Sequence, residues 1–273
     1  NTALGNNALQ VVYTSTGSSN IAVGDYVLDA NTTGSYNVGV GYNVLTQNTT
    51  GDNNVAVGRG ALDANTTADA NTAVGHKALF SAQTAVRCTA VGYNACMGGA
   101  TANDNTGIGY ECLHDTTTGY RNTCVGSQSG MDITDGFQNT SLGHLALYEC
   151  DEGDYNTAIG EQALRNCTSS DGNANSALGH AAGYDITTGG NNCLLGVSAG
   201  RSDSPSGQLL TSSHRVVIGN NNITHSYIKV DWTVTSDRRD KTDITPFNHG
   251  LSWINKLNPV TYRWDNRSDY EDG

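Results

Sequence analysis

At 273 residues the chain is long enough for one or two globular domains, yet only 37% of it is hydrophobic, which is little for a rounded core of that size. Residues 1–228 carry 7 Lys and Arg against 18 Asp and Glu, and residues 229–273 carry 7 against 8, so the net charge of −12 sits almost wholly in the first part and argues against a nucleic-acid partner. No apolar run is long enough to span a bilayer and no secretory signal is visible, so no membrane insertion is expected of this stretch. The chain starts on Asn1, directly in a repeat, and is expected to be a piece of something longer.

The repeat is read from glycines at 5, 24, 41, 58, 75, 92, 109, 126, 143, 160, 179, 196 and 219, where nine of twelve intervals are 17 residues and the others 19, 19 and 23. A 17-residue unit is too short for a helix pair. Its β-branched residues and Gly, Asn and Thr turns predict an all-β, parallel β-solenoid or β-roll whose coils stack. At about 4.8 Å per coil, the twelve intervals span on the order of 55–60 Å.

Within each unit the residue before Gly is Leu, Val or Ile in all thirteen copies, and the residue two positions earlier is β-branched in eleven, so these two share a face. The residue between them is small in most copies (Ala22, Ala56, Ala73, Ala90, Ala158), so the opposite face is apolar and shallow. The expectation is a strand buried on both sides. A single-chain roll covers one face, and neighbouring chains of a homotrimer meet across the small residues at a three-fold axis. The Ala/Val-Leu pair after each Gly (Val27-Leu28, Ala61-Leu62, Ala146-Leu147) is read as a second short strand. Asn opens the unit in eleven of thirteen copies, the pattern of an amide ladder bonding coil to coil or of a plain turn residue.

Other candidates carry weaker signals. Asp151-Glu152-Gly153-Asp154 is the densest acidic loop, and carboxylates on a fibre can hold calcium or hydrolyse a glycan, but a solvated turn is the stronger reading. His76, His144 and His180 each follow a repeat Gly in non-adjacent coils, so they predict no shared metal site. Seven cysteines without a Cys-x-x-Cys pair read as reduced, small, buried hydrophobes. No cofactor and no metal are expected. Tyr227 to Val234 alternates like an edge strand.

The strongest chemical signal is Ser236-Asp237-Arg238-Arg239-Asp240-Lys241, where a Ser precedes by five residues a Lys that, once desolvated, can accept its proton. In isolation Ser-Asp reads as a helix N-cap or turn. With Ile244, Gly250-Leu251, Ile254, Leu257, Pro259-Val260, Tyr262 and Trp264 behind it, the stretch resembles the start of the intramolecular chaperone of endosialidase-type phage tail fibres. The repeats resemble those of trimeric-adhesin head domains and phage tail fibres.

The resemblance implies a C-terminal domain, α+β, that trimerises the fibre and then cuts itself off. It makes Ser236 the nucleophile on the Thr235 carbonyl and Lys241 the base, with Asp237 and Arg239 orienting or neutralising the site. The implied organisation is a solenoid over 1–223, a transition strand over 224–235 and the start of the chaperone over 236–273; the chain ends at Gly273, before the long helical part the family carries. The implied protein is a virion tail fibre or spike, assembled in host cytoplasm and extracellular when mature. It contacts other virion proteins and a host-surface glycan or protein receptor. A cell-surface trimeric adhesin and a glycan-degrading fibre are the alternatives.

Overall fold

The structure, a computed structural model, describes residues 1–10, 16–168 and 173–227. The chain divides into a compact unit, Asn1–His225, and a second unit, Ser226–Gly273. In the first unit every repeat contributes one three-residue strand: β1 (Thr2–Leu4), β2 (Ile21–Val23), β3 (Val38–Val40), β4 (Val55–Val57), β5 (Thr72–Val74), β6 (Thr89–Val91), β7 (Thr106–Ile108), β8 (Thr123–Val125), β9 (Thr140–Leu142), β10 (Thr157–Ile159), β11 (Ser176–Leu178), β12 (Cys193–Leu195) and β13 (Val216–Ile218). They form one parallel sheet in sequence order, and equivalent residues face each other in register, as Ala73 does Ala90. No described residue lies in a helix. The architecture is a parallel β-solenoid of about 17-residue coils.

The repeat glycine ends each strand because no other residue fits there. Gly75 has φ +136°, and a Cβ on it would lie 2.2 Å from the carbonyl oxygen of Gly92 in the next coil. The period is thus set by a backbone-to-backbone contact.

The opening Asn is the coil-to-coil device, and it is buried. Asn37 donates its backbone N–H to Asn20 Oδ1 at 2.9 Å and its Nδ2 to the Gly51 carbonyl at 2.7 Å; Asn54 repeats both bonds one coil on, to Asn37 Oδ1 and the Ala68 carbonyl. Each amide therefore satisfies one donor of the next coil and one acceptor of a neighbouring loop. Cys88 interrupts the ladder and partly replaces its function: its N–H donates to Asn71 Oδ1 at 2.8 Å and its thiol donates to the Ala102 carbonyl at 3.0 Å.

The inside and the outside of the strand are the reverse of the expectation. The small middle residues (Ala22, Ala56, Ala73, Ala90, Ala158) are fully buried inside the single chain, whereas Leu142, Leu178, Leu195 and Ile218 are 45–51% exposed. The reason is volume. The interior is shared with the second apolar segment, so that a Cβ on Gly39 would lie 2.5 Å from Val27 Cγ1. Small residues are required opposite that segment, and the larger aliphatics are left to face outward.

The second segment is also not a strand. It is a turn in which Leu28, Leu45, Leu62, Leu79, Leu113, Leu147 and Leu164 all adopt left-handed backbone, with φ between 49° and 54°. That conformation costs roughly 1–2 kcal/mol for an L-residue. Full burial of the Leu side chain, worth about 1.5–3 kcal/mol, offsets it.

Candidate functional site

Because coils stack in register, any surface feature of this solenoid is a column of residues one repeat apart. Asp115, Asp132 and Glu149 form such a column, and with Thr134, Asp151 and Thr168 from a second column they line a surface cavity of about 480 Å³. The Thr134 hydroxyl donates to the Asp151 carboxylate. Burial first, then the charges of Asp115 and Glu149, raise the Asp132 carboxyl above its ordinary range. One guanidinium relieves the repulsion, since Arg165 lies 3.4 Å from Glu149.

Asp151 belongs to this cavity and Asp154 does not line it. Asp154 instead accepts the Phe137 N–H at 2.9 Å. Among the described residues, no group of three or more His, Cys, Asp or Glu is arranged to hold a metal ion.

The histidines are separate. His76 stacks on Tyr93 at 5.0 Å, and Tyr93 on Tyr110 at 5.4 Å, while His144 lies 3.6 Å from Glu161. All seven cysteines are free thiols. Six are buried, and Cys193 departs from the expectation by facing outward on β12. The Cys112 thiol is held protonated by its hydrogen bond with Cys124 and by burial, and Cys150 likewise by Cys167, which leaves no thiolate there for chemistry.

One feature went unread in the sequence, and another was read as a face but with inside and outside exchanged. Tyr148, Arg165, Tyr184 and Arg201 alternate rings and guanidinium groups up one column, with cation-to-centroid distances of 4.9, 5.6 and 4.8 Å. The outward face of the sheet carries two aliphatic or Thr columns, and across β10, β11 and β12 it opens an apolar cavity of about 270 Å³ lined by Ile159, Leu178 and Leu195 with Thr157, Ser176 and Cys193. Alignment of the repeats on their glycines places both sets in columns; for the sheet it leaves open which face is outward.

The motif residues Thr235, Ser236, Asp237, Arg239 and Lys241 lie outside the described residues, as does most of the edge strand expected over 227–234. Residues 236–273 match the family model described as chaperone of endosialidase. No curated protein and no solved structure matches the chain. The chain is therefore a parallel β-solenoid of about 17-residue coils that carries an endosialidase-chaperone segment at its C-terminal end. That combination is consistent with a phage tail-fibre-like protein.

Proposed function

We propose that the chain is a subunit of a homotrimeric tail fibre or spike of a phage particle, which attaches the particle to a host-surface glycan or protein. In this reading residues 1–223 form the shaft, 224–235 a transition strand, and 236–273 the start of a chaperone that brings three chains into register. The observation that carries it is the pairing of a repetitive solenoid with a chaperone-of-endosialidase sequence. The physical need for a chaperone follows from the repeats, because near-identical coils offer many registers slipped by one unit and a C-terminal clamp removes that degeneracy. The outward aliphatic columns supply the surface that three copies would cover, in place of the small residues first assigned to that role.

The chaperone then releases itself. Ser236 Oγ attacks the Thr235 carbonyl while Lys241 takes the hydroxyl proton and passes it to the Ser236 nitrogen as the Thr235–Ser236 peptide bond breaks; water then hydrolyses the resulting ester and parts the two chains, with Asp237 and Arg239 orienting or neutralising the site. A Lys in water, with a pKa near 10.4, is a poor base until burial lowers that value, so cleavage waits for assembly.

Full-length protein tests both parts. Light scattering should give three times the mass of the cleaved chain, and mass spectrometry a fibre chain ending in Thr235. Ser236→Ala, Lys241→Ala and Lys241→Arg should each leave an uncut trimer, since a guanidinium cannot give up its proton at neutral pH. A stable monomer removes the trimer; an intact wild-type chain in a completed trimer removes the cleavage and leaves a non-cleaving trimerisation module.

A further inference from the structure

We propose that the surface cavity of about 400 Å³ lined by Tyr26, Asp29, Tyr42, Asn43, Thr46 and Asp63 is a binding site for a neutral pyranose sugar. The walls come from three successive coils. Tyr26 and Asn43 occupy one repeat position, and Asp29, Thr46 and Asp63 another, each one repeat apart. None of the six belongs to a strand, so a trimer packed through the sheet face does not use them.

The two rings meet edge to face, 6.1 Å between centroids at 87°, and form a corner with both rings exposed, Tyr26 by 36% and Tyr42 by 46%. Their situation differs from that of Tyr93, whose ring is stacked between His76 and Tyr110. An exposed ring face beside convergent polar groups accepts the C–H face of a sugar, because the π face is negative and the sugar C–H edges are positive.

The polar groups call for donors. Thr46 already gives its hydroxyl to Asp63, and the Asp29 carboxylate lies on the same wall one coil before Thr46. Asp29 and Asp63 stand two coils apart, a stacking distance of about 9.6 Å. A compact ammonium can reach one of them. Hydroxyls spread around a ring can serve both, with the Asn43 amide between them able to donate and accept.

As the receptor contact of a fibre this site rests on the attachment reading, but binding of a free glycoside by the isolated full chain is measured without a particle. Loss of adsorption with glycoside binding retained would therefore sink attachment alone. The probes are the methyl α-pyranosides of glucose, galactose and mannose, methyl N-acetyl-β-glucosaminide, and butylammonium, each titrated by calorimetry and by saturation-transfer NMR. At least one glycoside should bind with a Kd of about 1–10 mM, the range of a single weak ring contact. Tyr42→Ala and Asp63→Asn should each weaken it tenfold or more, while Tyr42→Phe and the distant Tyr155→Ala should leave it unchanged. Asp63→Asn keeps the side-chain volume, so its result stands even if Tyr42→Ala fails to fold. The proposal is overturned if no glycoside binds below about 50 mM, if binding survives Asp63→Asn together with Tyr42→Ala, or if butylammonium competes at lower concentration than any sugar.

Discussion

The turn after β4 and the turn after β8 follow the same backbone path but fill the interior from opposite positions. After β4, Leu62 sits in left-handed backbone at φ 51° and fills the core, and three residues on Asn65 donates to Asn48 Oδ1 at 2.6 Å. After β8 the left-handed position is Gly130, free of strain, and the residue three on is Ile133, fully buried. A Cβ on Gly130 would lie 2.9 Å from Ile133 Cδ1, so Ile133 occupies the room that Leu takes elsewhere. Gly183 and Ile186 repeat the exchange after β11, where Leu194 also enters the strand. In these coils the apolar volume is kept while the position that supplies it moves.

Breaking this comparison gives the largest effect. Leu62→Gly alone should cost at least the 2–5 kcal/mol typical of a buried Leu truncation, and Asn65→Ile alone about 1–3 kcal/mol of overpacking. The double variant Leu62→Gly/Asn65→Ile reproduces the β8 turn and should recover most of the loss, a coupling of roughly 0.5–3 kcal/mol in urea unfolding. Strict additivity of the two singles would refute the exchange.

Next in size, Ala73→Leu should cost about 1–3 kcal/mol because it overpacks the interior of one chain. The same loss should appear in a monomeric and an assembled sample. Enlarging the outward neighbour, Thr72→Ile, should leave unfolding of the monomer nearly unchanged. A loss confined to the assembled form would restore the small residues to the interface.

The two Asn positions sharpen the picture further. Asn54→Ala orphans the Asn71 N–H and leaves the Ala68 carbonyl only its longer bond from Asn65 Nδ2, and should cost about 1–3 kcal/mol, more than Asn65→Ala, because Asn65 Oδ1 is already buried without a partner. Equal losses by thermal melting would mean that the bonds are not what distinguishes them.

The smallest expected effect is electrostatic. The folded-state pKa of Asp132 is raised, so the folded chain binds its proton more tightly than the unfolded chain does, and stability falls as pH rises from the ordinary carboxylate value of 3.8 through the raised value. Asp132→Asn should therefore raise the melting temperature slightly at pH 7, with the gain vanishing below pH 3.8. A gain that persists in acid would point to packing.

The period, the strand and the Asn ladder were legible because each rests on a residue type with one steric or hydrogen-bonding use: Gly75 touching backbone, Val74 in a strand, Asn54 bridging coils. Inside and outside were not, because both faces of Thr72–Ala73–Val74 avoid charge, and the deciding fact is the depth of the opposite wall at residues such as Val27. The Leu turn was misread since Ala61-Leu62 has the composition of a strand and its positive φ is imposed by the coil closing. The Tyr26–Tyr42 corner and the Asp115–Asp132–Glu149 column join residues that are distant in sequence, and only alignment at the repeat period brings them together.

The hydrogen bonds of the solenoid run almost entirely between coils: Val38 N–H to Asn54 O at 2.8 Å, Leu45 N–H to Ala61 O at 3.2 Å and Thr49 N–H to Thr66 O at 2.9 Å lie around one turn of the spiral. For a tensile load this makes the mode of attachment decisive. A pull distributed over a whole coil stretches all of these bonds together, and the solenoid bears force as a bundle of parallel links. Pulled by its chain ends, the same structure meets the force one bond at a time and peels, each 17-residue coil releasing about 56–61 Å of extended chain.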